Sequence, residues 1–137
     1  MDRSTLGRTV ALGAITGMRT TAGAATLAYE HGGTVGKLFA LLAAGEMIAD
    51  KLPFVGDRID PGPLAGRALM GAAVGAAVAY EDHDNLLVGG LIGAATAVAV
   101  AHLAFHVRKR LAHDNPIGGT IEDAVVMGLA AGAARLR

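Results

Sequence analysis

The sequence contains no cysteine and no tryptophan. Without cysteine there can be no disulfide framework, no thiolate nucleophile and no Cys-based zinc or iron–sulfur centre. Aromatic residues make up 4% of the 137 residues and charged residues only 18%, against about 25% charged in an ordinary soluble domain. The charge that is present balances, with 12 Lys and Arg against 12 Asp and Glu. That removes the basic footprint by which a nucleic-acid binder displaces counterions, so no nucleic-acid partner is expected. Catalytic signatures are missing too: no Gly-x-Ser-x-Gly elbow, no phosphate-binding Gly-x-x-x-x-Gly-Lys loop, no His-Glu-x-x-His helix and no Glu-x-x-His pair. The expectation is a protein that is not an enzyme and needs no cofactor.

What the chain has in quantity is small and apolar. Hydrophobic residues are 53%, there are 20 glycines, and the mean hydropathy is +0.46. A helix crossing about 30 Å of hydrocarbon needs about 20 residues, and five apolar stretches approach that length: about Thr9 to Tyr29, Thr34 to Leu52, Leu64 to Tyr80, Leu86 to Val107 and Ile117 to Leu136. They are punctuated by Glu30-His31-Gly32-Gly33, by a polar connector near 53–63 that carries Pro53, Pro61 and Pro63, by Glu81-Asp82-His83-Asp84-Asn85, and by Arg108-Lys109-Arg110. The stretches are long, Ala-rich and without period-two alternation, so they read as helices rather than barrel strands. The fold class expected is all-α, a polytopic membrane protein of about five short Gly/Ala-rich transmembrane helices forming one domain over residues 1–137.

A soluble bundle with an Ala-rich core is the competing reading, and charge placement separates the two. If five spans alternate sides, Arg3, Arg8, Lys51, Arg58, Arg67, Arg108, Lys109 and Arg110 collect on one side, and Lys37, Arg135 and Arg137 on the other. The positive-inside rule then predicts a multi-pass protein of the bacterial inner membrane with a cytoplasmic N-terminus. The first apolar run holds Arg19 and has no clear cleavage site, so it is expected to direct insertion itself rather than to be a cleaved signal.

Gly13 and Gly17 of the first span are echoed by Gly71 and Gly75 of the third, each pair following a Gly-Arg step, Gly7-Arg8 and Gly66-Arg67. Internal duplication and chance both account for this in so Gly/Ala-rich a chain. Either way, Gly-x-x-x-Gly lets two helix backbones approach closely where lipid supplies no hydrophobic drive.

Ionisable residues at membrane depth are the candidate site. At 1.5 Å per residue from the expected inner ends, Arg19 lies about 15 Å deep, Glu46 about 9 Å and Glu122 about 8 Å. Glu46 and Asp50 share a helix face, Lys51 adjoins them, and Asp123 follows Glu122. An arginine at such depth costs about 2.5–3.5 kcal/mol unless paired or hydrated, so a cluster of Arg19 with Glu46, and with Glu122 alongside, is expected. It could glue helices together or line a polar pathway. Thr20 and Thr21, flanked by Gly17 and Gly23, would tolerate an interrupted helix there. His102 and His106, four apart, could with carboxylates hold a divalent metal, but histidines at a span's end are ordinary headgroup-level residues, and no metal is expected.

Several of these residues carry a resemblance. Gly17-Met18-Arg19-Thr20-Thr21, Gly45-Glu46-Met47-Ile48-Ala49-Asp50-Lys51-Leu52-Pro53, Arg58 with Pro61, Pro63, Leu64, Gly66 and Arg67, and Glu122-Asp123-Ala124 occur in that order. In this the chain resembles the domain of unknown function 4126 family of small bacterial membrane proteins. The resemblance implies a compact helical integral membrane protein and no particular activity; His102 and His106 stand outside the pattern. Three functions are therefore weighed. The first is a small carrier or channel for an ion or solute, homo-oligomeric in the bilayer, with Arg19, Glu46, Asp50, Lys51, Glu122 and Asp123 as binding or pathway residues. The second is a structural or accessory membrane protein whose charges only pack helices. The third is a binder of anionic lipid through Arg58, Arg67, Arg108, Lys109 and Arg110.

Overall fold

The computed structural model describes residues 1–34, 37, 59–111 and 117–135. Among them are five helices and no strand: α1 Arg3–Met18, α2 Ala22–His31, α3 Pro61–Glu81, α4 Leu86–Leu111 and α5 Ile117–Ala134. The expected second span, 34–52, lies outside the described residues apart from Thr34 and Lys37.

Local chemistry sets the ends. Asp2 caps α1, its carboxylate accepting from the Arg3 amide at 2.5 Å and the Ser4 hydroxyl at 2.9 Å. Pro61 occupies the first turn of α3, where its missing N–H costs nothing. Asn85 caps α4, its side-chain oxygen accepting from the amides of Leu87 and Val88 at 3.0 and 3.1 Å. Gly32, at φ +70°, closes α2 in a left-handed conformation that suits glycine.

The first expected span, about Thr9 to Tyr29, is not one continuous helix but a hairpin. α1 stops at Arg19, whose backbone is extended (φ −140°, ψ 115°), and α2 begins three residues later. α2 then returns along α1: Gly23 packs so closely on Leu12 and Thr16 of α1 that it has no room for a Cβ, and Glu30 reaches back to Arg8. At 1.5 Å per residue the two arms are only about 24 and 15 Å long, short of the hydrocarbon thickness. α3 and α4, by contrast, are long and apolar enough to cross a membrane, over Pro61–Glu81 with mean hydropathy 1.3 and Leu86–Arg110 with 2.0. In α5 only the shorter stretch Asp123–Ala133 is apolar.

The reversal also re-sorts the charges. Arg8 lies against Glu81, and the Met1 nitrogen is 3.5 Å from Asp84. The start of the chain therefore sits at the α3–α4 turn, at the opposite end of α4 from Arg108, Lys109 and Arg110. Arg3 and Arg8 therefore do not share an end of the bundle with those residues, as alternating spans require.

Glycine governs how the helices meet. α3 and α4 run antiparallel with Gly71 and Gly75 against Gly93 and Gly89; a Cβ on Gly71 would lie 2.6 Å from the Gly93 carbonyl oxygen, and one on Gly75 would overlap the Gly89 carbonyl. Gly13 and Gly17 of α1 pack on the same column of α4, against Gly93 and Ala97. The two echoed Gly-x-x-x-Gly steps thus dock on one helix, α1 parallel to it and α3 antiparallel.

Burial is inverted. Among the largest fully buried side chains are Arg8 and Arg19, with Thr5, Thr9 and Thr16. On α1 the threonines face inward while Leu6 and Val10 face out. Leu87 and Leu91 of α4 are 79% and 71% exposed, and Leu69 of α3 is 73% exposed. A small apolar core of Leu12, Ile15, Val74, Val78 and Val126 fills the middle.

Candidate functional site: two buried arginines

The first site is the apex of the α1–α2 hairpin. Arg19 is 1% exposed, and its Nη2 donates to Asp123 Oδ1 of α5 at 2.5 Å. Its own amide donates to the Ile15 carbonyl, closing α1, and its carbonyl accepts from the Ala22 amide, opening α2. The N-terminus of α2 brings a partial positive charge to the apex beside the guanidinium. The apex is thus a place where anionic groups are favoured, and Asp123 occupies it. Gly17, two residues before Arg19, packs against Ala97 and Ala101 of α4. Ala101 is seven residues, about 10 Å, short of Arg108.

Of the expected site residues, Arg19 and Asp123 come together. Glu122 lies on α5 but its side chain is outside the described residues, as are Glu46, Asp50 and Lys51. Among the described residues, Arg19 pairs with Asp123, the neighbour of Glu122. Arg67 is 3% exposed, with Nη1 3.4 Å from the Pro63 carbonyl oxygen; it is no part of an exposed basic surface. Lys109 and Arg110 are exposed, and the Lys109 ammonium lies 5.9 Å from the Phe105 ring centre. His106 is exposed and stacks edge-on with Phe105. Among the described residues, no three His, Asp or Glu side chains converge to hold a metal ion.

The second site was not expected. Arg8, 2% exposed, donates through Nη2 to Glu30 at 2.7 Å and to Glu81 at 2.8 Å, and its Nη1 is 3.7 Å from Asp82. His31 Nε2 in turn lies 3.0 Å from Glu81 Oε1. One guanidinium therefore ties the start of α1 to the C-terminal ends of α2 and α3. The reading by alternating spans put Arg8 on one side of the membrane and all these carboxylates on the other. A signal was present: Arg8 and Glu30 lie eleven residues either side of Arg19, as the two arms of a hairpin reversing there would place them.

In the nearby α3–α4 turn, Asp84 is held below the usual carboxylate range, first by the Asn85 amide and then by the Asp2 amide. Comparison with known proteins adds no relative: no family model, no curated protein and no solved structure matches the chain.

Proposed function

We propose that the chain is a multi-pass protein of the bacterial inner membrane that acts as a small carrier or channel, with the hairpin apex as its polar site. α3 and α4 cross the bilayer, and the α1–α2 hairpin re-enters it. The observation that carries this reading is the inverted burial: two nearly inaccessible arginines inside, and leucines 71% and 79% exposed on α4 outside. In water such an exposed stripe would be a liability; in lipid it is the expected surface. Interrupted helices at membrane depth are tolerated where they line a cavity or are buried in protein, and their ends are suited to holding ions. Arg19 and Asp123 form the apex pair, and Glu46, Asp50, Lys51 and Glu122 remain candidates to complete the pathway. By the positive-inside rule the Arg108–Arg110 end faces the cytoplasm, which puts Met1 on the other side. The resemblance to the domain of unknown function 4126 family accords with this reading.

A homo-oligomer belongs to the same proposal. The small-residue faces of α1, α3 and α4 are used within the chain, whereas among the described residues nothing lies within 4 Å of where a Cβ on Gly128 or Gly132 of α5 would point. A second copy packing there would enlarge a pathway that one chain has little bulk to enclose.

The test is ion and proton flux in liposomes containing the purified protein. Asp123→Asn keeps the shape of the side chain and removes its charge; a fall in flux of at least tenfold, with the protein still assembled, is expected. Flux equal in wild type and variant would move the apex out of the pathway. A second reading, that the pair only fastens α5 to the hairpin, is favoured by the direct Arg19–Asp123 contact; it predicts no flux in the wild type and loss of assembly in the variant.

A further inference from the structure

Away from the apex, at the Arg8 end, a groove of about 440 Å³ runs between α2 and α3. That volume is within the range of small-molecule sites. Its walls are apolar, from Ala24 and Leu27 on α2 and Met70, Ala73 and Ala77 on α3, and its polar end is formed by His31 and Glu81. Two features make that end negative. Glu81 stands beside Asp82, and among the described residues these two and Glu30 share the single guanidinium of Arg8. α2 ends at His31 and α3 at Glu81, so two helix C-termini, each carrying a partial negative charge, converge there. His31, the other group on Glu81, is held at both ring nitrogens, Nε2 3.0 Å from Glu81 and Nδ1 2.8 Å from the Leu27 carbonyl oxygen, but its side chain is 47% exposed, so a ligand reaching Glu81 displaces it toward solvent.

We propose that this groove binds a monovalent organic cation with an apolar body, the cationic centre against Glu81 and the body along α2 and α3. An apolar trough alone would accept any lipophile; the carboxylate and the two helix ends select for positive charge and against an anion of equal size. The site is separate from the Arg19–Asp123 apex, and its ligand is bound whether or not the apex conducts.

The probes are tetraphenylphosphonium and tetraphenylborate, nearly the same shape with opposite charge, titrated into purified protein in detergent against protein-free micelles. The phosphonium is expected to bind at least tenfold more tightly than the borate, and Glu81→Gln to weaken it at least tenfold. Because Glu81 also pairs with Arg8, a second variant, Ala77→Phe, fills the groove without touching the charges and is expected to weaken binding as much. Equal binding of the two probes, no phosphonium binding above micelles, or unchanged binding in Ala77→Phe would each overturn the proposal. If Glu81→Gln does not fold, the comparison of probes and Ala77→Phe decides.

Discussion

Arg8 and Arg19 are each buried where a lone guanidinium could not be accommodated, and each is held by carboxylates from other helices. Removing one partner of a buried ion pair typically costs about 3–5 kcal/mol, since the other charge is left stranded. Arg8→Met removes the guanidinium shared by Glu30, whose side chain is 6% exposed, and Glu81, and thermal unfolding in detergent should show a loss of that order. Glu30→Gln leaves Arg8 with Glu81 and Asp82 and should cost clearly less; equal losses would mean that the cluster is not organised around Arg8. Asp84 gives a pH dependence. Because folding lowers its pKa, it stabilises the fold above the ordinary carboxylate range, and that contribution is lost as acid titrates the folded form below it. Asp84→Asn should therefore flatten the acid limb of the melting-temperature profile. Arg19 could be found from sequence because an arginine in an apolar run is conspicuous by itself. Hydropathy could not find Arg8, because its burial depends on where the chain turns and hydropathy does not register a turn among Thr, Ala and Gly; only its even spacing with Glu30 about Arg19 carried a signal.

At the level of elements, α3 and α4 and the start of α5 fall close to the apolar runs that foretell them, since a long Ala-rich run bounded by proline or charge has few other ways to satisfy its backbone. The α1–α2 break escapes the same logic. It needs only Arg19 to become extended, and the stretch from Ala22 to Tyr29 stays apolar enough to look like a continuation. Thr20, Thr21 and the flanking glycines marked the place as permissive, but nothing local specified that the chain would fold back. The glycines split into two groups with opposite expected behaviour. At Gly75 a Cβ meets the Gly89 carbonyl, so Gly75→Ala should force α3 from α4 and destabilise by about 1–3 kcal/mol. At Gly66 a Cβ meets nothing within 4 Å among the described residues, and Gly66→Ala should stabilise by up to about 1 kcal/mol through helix propensity. Unfolding curves of the two variants side by side check both signs.

For the whole molecule, the proposed arrangement accounts for the polar interior, the leucine-rich exterior and the position of the chain's start: a lipid-facing bundle in which a short hairpin dips in and turns back beneath an ion pair. The native absence of cysteine makes this directly testable with single cysteines at exposed positions. Ser4, His83 and Lys109 are exposed, the first two at one end of the bundle and the third at the other. Intact cells expressing each single-cysteine variant would be treated with a membrane-impermeant thiol reagent, before and after permeabilisation. The proposed arrangement requires Ser4→Cys and His83→Cys to label together from outside, and Lys109→Cys to label only once the membrane is opened. Labelling of Ser4→Cys in step with Lys109→Cys, or recovery of all three variants in the detergent-free soluble fraction, would contradict it.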